Sequence, residues 1–322
     1  MNLAQQIKQK AIELGFDLVA ITDAAPINAQ QTNLLKHWLN SGCAGRMSYM
    51  QRNFEKRINP AALLENAKSV ICVALNYKPP SQASPGKARQ SGFHNTSAPK
   101  ARIASYAHYE DYHFFVKNHL RKLTDFISSV TAGDFNFKIC VDSAPVAERA
   151  LAERAGLGFI GKNHMLINPE FGPQILLGEI ITDLELPTDR PIKNTCSACN
   201  KCISACPTAA LKPDGQFDAN KCISYLTIEY KGQIPRDLAD KTGDKLFGCD
   251  ECLSACPYQH NAPACKNKQF KFYSDRAELD LHYVVNLSKG EFERLFDNSA
   301  IKRIGLEQLK RNAQICLANP TG

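Results

Sequence analysis

The chain predicts an α/β fold followed by a cysteine-dense domain of different make-up and a helical C-terminal segment. Three observations carry this. Helix-period and strand-like segments alternate up to about residue 187, which argues layers of helices on a sheet. From 188 to 266 the composition turns rich in Cys, Pro and Lys, with only short helical pieces. Beyond that, Phe292, Leu295, Phe296, Ile301, Ile304 and Leu309 return at helical spacing. The expected organisation is therefore 1–187, 188–266 and 267–322.

The elements follow in order. Leu3, Ile7, Ala11 and Leu14 recur at helical spacing and predict a first helix ending at Gly15. Phe16 to Ile21 reads as a strand, and Leu34, Leu35, Trp38 and Leu39 as part of a second helix. Ser69 to Leu75 is a short β-branched run, expected to be a buried strand. Pro79 to Lys100 has almost nothing to bury and reads as a loop. From Tyr112, the residues Phe115, Val116, Leu120, Leu123, Phe126 and Ile127 mark an amphipathic helix. Phe137 to Val141 is the next expected strand and runs into Asp142. A helix over about Pro145 to Ala155 follows, with Pro145 suited to its first turn. Ile175 to Leu184 reads as a long apolar strand.

Composition narrows the class. Hydrophobic residues make up 44% of 322, enough for a sizeable core. No apolar run approaches the roughly 18 residues of a membrane span, and the first residues lack a signal peptide's apolar block. A cytoplasmic protein without a membrane partner is expected. Thirteen cysteines then need a reason other than disulfides. Cys43, Cys72, Cys140, Cys265 and Cys316 are scattered and read as small buried hydrophobes. A net charge of +7 suits a polyanionic partner such as RNA without requiring one.

The other eight cysteines carry chemistry. Cys196, Cys199, Cys202 and Cys206, followed by Pro207, are spaced C-x2-C-x2-C-x3-C-P, the bacterial ferredoxin signature for 4Fe–4S clusters. A second, split copy is Cys222, then Cys249, Cys252 and Cys256, followed by Pro257. In such pairs the fourth cysteine of each run ligates the other cluster. Cys196, Cys199, Cys202 and Cys256 are therefore expected to hold one cluster, and Cys206, Cys222, Cys249 and Cys252 the other. Structural zinc, the competing reading, favours paired C-x2-C units rather than a triplet followed by Cys-Pro.

Several patterns are decoys. Gly156, Gly158 and Gly161 match G-x-G-x-x-G but follow a helix, whereas a dinucleotide fingerprint follows a strand. With Lys162 and Asn163 they nearly form a P-loop, yet Asn163 stands where a Ser or Thr would hold magnesium. The glycines serve either a backbone approach to a bulky ligand or plain packing. His108, His113, His119 and His164 show no metal-ligand spacing. Asp111 and His113 begin like the D-x-H-x-x-G stretch by which some cobalamin proteins supply an axial histidine, but Val116 replaces its glycine. Asp142, between an apolar strand and a helix, is either a ligand-site carboxylate or a helix N-cap.

The segments Val141 to Ala150 (VDSAPVAERA), Ala155 to Asn163 (AGLGFIGKN), Pro169 to Gly172 (PEFG), the cysteine block and Cys222 to Glu229 (CISYLTIE) together resemble the epoxyqueuosine reductase family, over nearly the whole chain to about Asn312. The resemblance implies that 1–187 is an α/β cobalamin-binding and catalytic domain. It implies that 188–266 is a ferredoxin-like domain with two 4Fe–4S clusters, and 267–322 a C-terminal helical segment. The implied activity is reduction of epoxyqueuosine at the tRNA wobble position to queuosine, using cobalamin without an axial protein histidine. Asp142 falls on the family's proton donor. Cobalamin contacts fall on Arg57, Ser105, Tyr106, Asp142, Lys162, Asn163, Leu166 and Ser224. Many members continue into a helical-repeat region, whereas this sequence ends soon after Cys316; any tRNA grip supplied by such repeats is expected to be reduced or to come from elsewhere.

Removing an epoxide oxygen as water needs two electrons and two protons, so an unidentified low-potential donor is a required partner. Asp142 is expected to be kept protonated by burial, and the wobble nucleotide to be flipped into a pocket. Lys231, Arg236, Lys241 and Lys245, with the 87–102 loop, are expected to meet tRNA phosphates. Two other readings remain: a reductive dehalogenase of small organohalides, and an electron carrier with no substrate, against which the long α/β region argues.

Overall fold

The computed structural model describes residues 1–80, 98–131 and 135–319. Its strands are β1 (Leu18–Asp23), β2 (Ser69–Asn76), β3 (Lys100–Ile103), β4 (Phe137–Cys140), β5 (Phe159–Ile160), β6 (Leu166–Ile167), β7 (Ile175–Thr182), β8 (Lys245–Phe247) and β9 (Glu278–Asp280). The helices of the first half are α1 (Leu3–Glu13), α2 (Ala29–Asn40), α3 (Ser48–Arg52), α4 (Phe54–Ile58), α5 (Tyr112–Val130) and α6 (Glu148–Ala155). In the second half come α7 (Lys201–Ser204), α8 (Ile223–Ile228), α9 (Arg236–Thr242), α10 (Glu251–Ser254), α11 (Pro257–His260), α12 (Leu281–Asn286), α13 (Lys289–Leu295) and α14 (Gly305–Ala318).

The β-branched run expected as a buried strand is β2, and every residue of it is buried. It can be buried throughout because both its edges are paired, in the strand order β1-β2-β7-β4. The period of two sorts its side chains onto two faces. Ile71, Val73 and Leu75 meet Ile7 and Ala11 of α1 and Val116, Leu120, Leu123 and Ile127 of α5. Val70, Cys72 and Ala74 meet Leu151, Ala152 and Ala155 of α6. Each fully buried aliphatic side chain contributes about 1.5–3 kcal/mol. The alternation of elements does not thread a parallel sheet: all three pairings are antiparallel. The fold is mixed α/β, and an argument that ligands gather at a parallel sheet's switch point does not apply.

A second sheet, β8-β3-β9, lies over the C-terminal helices. Leu246, Phe247, Leu279, Val284, Phe292, Ile301 and Leu309 form its core, so the helical spacing seen after residue 292 is a packing face. Helix α14 is also stitched to α8, the helix after Cys222. Asn312 donates to Thr227 O (2.9 Å) and Leu246 O (3.0 Å), and Arg311 caps the carbonyls of Leu226, Tyr230 and Gly232.

Two boundaries moved. Phe16 lies outside β1 because its N–H closes the turn from α1 onto Ala11 O. Helix α6 begins at Glu148, three residues after Pro145, leaving 141–147 as a loop behind β4. Most of the expected 79–100 loop, including 87–97 of the stretch assigned to tRNA phosphates, lies outside the described residues. Among the described residues no helix is long and apolar enough to cross a membrane.

The glycine pattern after α6 is explained by packing. Gly156 ends α6 at φ +92, and a Cβ there would be driven into Arg190 O. A Cβ on Gly158 would lie 2.5 Å from Ile167 O. Gly156→Ala should therefore cost more than the roughly 1–2 kcal/mol of left-handed strain alone. Gly215, at φ +83 with open space around it, supplies the comparison. Denaturant unfolding should show Gly156→Ala losing clearly more stability than Gly215→Ala; equal losses would refute the packing role.

Candidate active site

The two cysteine runs converge. Helices α7 and α10 carry Cys202 and Cys252 and follow equivalent turns. A cavity of about 260 Å³ is lined by Cys196, Cys199, Cys202 and Cys256, with Lys162, Asn163, Ile167 and Tyr258 among its other walls. This is the crossed set, three residues of the first run and the last of the second. Burial pushes the Cys202 and Cys256 thiols up, and Cys196 and Cys199 push in the same direction. The complementary set is also mutually close. Cys222 is raised by burial and by Cys206. Burial and the neighbouring Cys222 push Cys249 up to about 12, and burial with Cys222 and Cys249 pushes Cys252 well up. Two nests of mutually crowded thiols fit soft iron–sulfur ligation. The metal would hold them as thiolates against this upward pressure.

Lys162 and Asn163 belong to the first nest. The Lys162 N–H donates to Cys196 Sγ at 3.4 Å, and its ammonium donates to Ser197 O (3.1 Å) and Asn200 Oδ1 (2.8 Å). Asn163 donates to Cys252 O at 3.4 Å. The Ser224 and Tyr225 N–H groups point at the Cys222 sulfur. Leu166 is buried in the core against α6.

Asp142 stands elsewhere, on a loop after β4, in the left-handed region at φ +46. It is not the helix N-cap; that position is Ala147. Its Oδ2 accepts from the Tyr112 hydroxyl and from His113 Nε2, each at 2.9 Å. His113 Nδ1 faces Asp111 Oδ1 at 2.8 Å. Burial acts to lower His113, but the bonds and charges of Asp111 and Asp142 outweigh it and push it up to about 9. Burial acts to raise Asp142, but His113 and Tyr112 outweigh it and leave the carboxyl below its ordinary value. The expectation that burial alone keeps Asp142 protonated is therefore overturned: the proton at neutral pH rests on His113. The Asp142 side chain is 43% exposed, so its carboxylate is open to solvent. With both ring nitrogens committed to carboxylates, His113 is not free to ligate a metal.

Arg57 and Tyr106 share this wall. Tyr106 feels the charge of Asp142 and packs edge-on against Tyr112, centroids 5.9 Å apart. It also meets Tyr77 and Phe247, while the Ser105 N–H donates to Asp250 Oδ2 at 2.7 Å. Aromatic packing thus links the Asp142 wall to the Cys249–Cys252 run. Arg57 lies within electrostatic reach of Asp142, Glu148 and Arg149. Among the described residues, Arg57 Nε and His164 Nε2 are buried without a partner. Unsatisfied buried groups, one of them near the exposed Asp142 carboxylate, fit a large polar ligand, and cobalamin meets that description.

Sequence reasoning missed four residues. Tyr112 and His113 reach Asp142 across about thirty residues of chain. Glu148 accepts the Asp142 N–H at 2.5 Å, and Glu179 lies fully buried behind it. A signal for Glu179 existed: one carboxylate in the middle of a run otherwise apolar.

Comparison with known proteins agrees. Residues 57–143 match the family described as epoxyqueuosine reductase QueG, DUF1730. Residues 195–259, which hold all eight motif cysteines, match a 4Fe-4S double cluster binding domain. The epoxyqueuosine reductase of Vibrio cholerae is 39% identical over 320 residues, covering 99% of this chain and 84% of the relative. An epoxyqueuosine reductase crystallised with an epoxyqueuosine-modified tRNA-Tyr stem loop superposes with a TM-score of 0.88 at 31% identity, covering 99% of this chain and 82% of that one. A Bacillus subtilis epoxyqueuosine reductase, described with its catalytic aspartate loop swung out of the active site, gives 0.87 at 30%, with the same coverage.

The crossed ligand sets predict which cluster a mutation damages. Cys256→Ala should remove the cluster of Cys196, Cys199 and Cys202, and iron should fall from about eight to about four per chain. Cys206→Ala should instead remove the cluster of Cys222, Cys249 and Cys252. Electron paramagnetic resonance of the single-cluster variants distinguishes them; identical residual spectra would refute the crossing.

Proposed function

This chain belongs to the epoxyqueuosine reductase family, and we propose that Asp142, charged by His113, is the proton donor of its reduction. The enzyme is an oxidoreductase that converts epoxyqueuosine in tRNA to queuosine. We further propose the division of the chain into a cobalamin-binding and catalytic domain (1–187), a ferredoxin-like domain (188–266) and a C-terminal helical segment (267–322). The observation that carries the proton-donor reading is the Asp111–His113–Asp142 chain, opening on solvent at Asp142.

The eight thiolates would hold two 4Fe–4S clusters, which pass on electrons singly from a low-potential donor. Cobalamin, when bound, supplies the two-electron chemistry at a carbon–oxygen bond that side chains lack. Arg57 and Tyr106, with Asp142, would face it from the wall, and Ser105, Lys162, Asn163, Leu166 and Ser224 belong to the segments around it. The chain's own task is the proton. As the epoxide oxygen gains charge, the His113 proton passes through the Asp142 carboxyl to that oxygen. Tyr112 holds the carboxylate in place and Asp111 holds the ring.

A tRNA substrate fits a cytoplasmic enzyme and a chain of net charge +7. Lys231, Arg236 and Lys241 are exposed and available to phosphates. Lys245 is withdrawn from that role: its ammonium pairs with Glu251 at 3.1 Å and Asp244 at 3.7 Å. Affinity for tRNA should fall steeply with salt as counterions are released. Neutralising Lys231 and Arg236 together should reduce the slope of log affinity against log salt by about 1–2; an unchanged slope would exclude them from the interface.

Asp142→Asn keeps shape but carries no transferable acid. Both clusters should remain and single-turnover epoxide reduction should fall about 10²–10⁴-fold. In the parent, His113 holds the proton below about 9, so the rate should decline as pH rises through that value, and His113→Gln should abolish this limb. A near-parental rate in Asp142→Asn removes the residue from the mechanism.

A further inference from the structure

Behind the Asp142 loop lies a second acidic site that the proton path above does not use. Glu179 sits in the interior of β7, and its cross-strand partners are Cys72 of β2 and Cys140 of β4. All three are fully buried. Among the described residues neither Glu179 oxygen has a conventional hydrogen-bond donor. Its side chain falls on the face that carries α6, whose first residue is Glu148. The two carboxyl groups lie against each other. Glu179, fully buried among apolar strands with a second carboxyl against it, cannot stay ionised beside an ionised Glu148, and one proton between them satisfies both.

We propose that Glu148 and Glu179 share a stored proton, and that this pair delivers the second proton of the reduction by recharging Asp142. The inference rests on the reading of Asp142 as the donor.

The stoichiometry asks for such a store. Two carbon–oxygen bonds of the epoxide break, a carbon–carbon double bond forms, and the oxygen leaves as water. The cluster domain supplies two electrons and the site must supply two protons. His113 with Asp142 holds one. Glu148 adjoins Asp142 for the other: its Oε1 accepts the Asp142 backbone N–H, and the two carboxyl groups feel each other's charge. The stored proton moves from Glu148 to the spent Asp142 carboxylate, and the pair then refills from solvent. The groups facing the pair are Asp142 on the loop, Arg149 on α6, Arg57 on α4, Tyr112 on α5, and the thiols Cys72 and Cys140. Burial above all pushes both carboxyls up, and Asp142 pushes the same way on both, with Glu148 adding to it on Glu179. The Asp142 N–H bond, Arg149 and Arg57 act against this on Glu148.

Infrared spectroscopy of the protein without cobalamin reads the stored proton directly. A protonated-carboxyl carbonyl band should persist at neutral pH in the parent, vanish in Glu179→Gln, and shift in frequency in Glu148→Gln, where the buried Glu179 loses the carboxyl it shares its proton with. In the holoenzyme, Glu148→Gln keeps an acceptor for the Asp142 N–H while removing the acid. Its turnover should fall about 10–10²-fold, with the rate becoming sensitive to added small buffer acids that replace the store. Absence of the band in the parent, or parental turnover without buffer-acid rescue in folded Glu148→Gln, overturns the proposal. The outcome separates from the Asp142 reading: an active Asp142→Asn beside an intact band in the parent would sink the donor and leave the buried acid pair standing.

Discussion

An enzyme that couples electron delivery to proton delivery must hold its two sources at a fixed separation, and here one ammonium group does much of that. Lys78, just past β2, donates to Gln259 O (2.9 Å), Ala262 O (2.6 Å) and His260 O (3.3 Å). Those carbonyls close the helix that follows Cys256. Asn76 adds a bond to Pro263 O, and Gln259 one to Gln174 at the head of β7. Charge-assisted bonds of this kind are worth about 1.5–3 kcal/mol each. The end of the cysteine domain is thereby locked to the two central strands, the same strands whose neighbour β4 presents Asp142. Helix α14, bonded to α8, fixes the domain from its other side.

The Asp142 turn is the second constraint. A non-glycine residue at φ +46 is costly, and it persists because the surroundings over-determine it. Its N–H is held by Glu148, and its carboxylate by Tyr112 and His113.

How much of this could be read from the residues depended on the range of the interaction. The cysteine spacing is local: three ligands at steps of three wrap one corner of a cluster wherever they occur, so the crossed sets could be proposed from the residues alone, and Cys196, Cys199, Cys202 and Cys256 line one cavity. β2 was legible because a fully buried strand must be apolar throughout. The sheet's direction was not, since alternation of helix and strand is indifferent to whether neighbours run parallel. Asp142 was reached by resemblance, while its partner His113 looked like any surface histidine, because the contact that gives it a role spans 29 residues. The raised pKa expected of Asp142 failed for the same reason: burial can be anticipated from an apolar strand, but a cation brought in from another helix cannot.

Glu179 shows the converse. Its neighbours in sequence, Gly178 and Ile180, made the strand look uniformly apolar, and the single carboxylate was absorbed into that impression. In the folded sheet it has nowhere to put a charge: thiols flank it on both sides and α6 covers it. A buried apolar position would be more stable with a leucine of similar size, so stability alone does not account for an acid there. The sheet thus separates two acids by their surroundings. Asp142, beside a cation and open to solvent, is ionised and ready to relay a proton, whereas the pair of Glu179, fully buried in the sheet, and Glu148, half-buried at the start of α6, keeps one. Divergent environments for neighbouring carboxyl groups are how a protein assigns them opposite roles at one pH. Here the divergence is built from a single cross-strand register and one helix terminus.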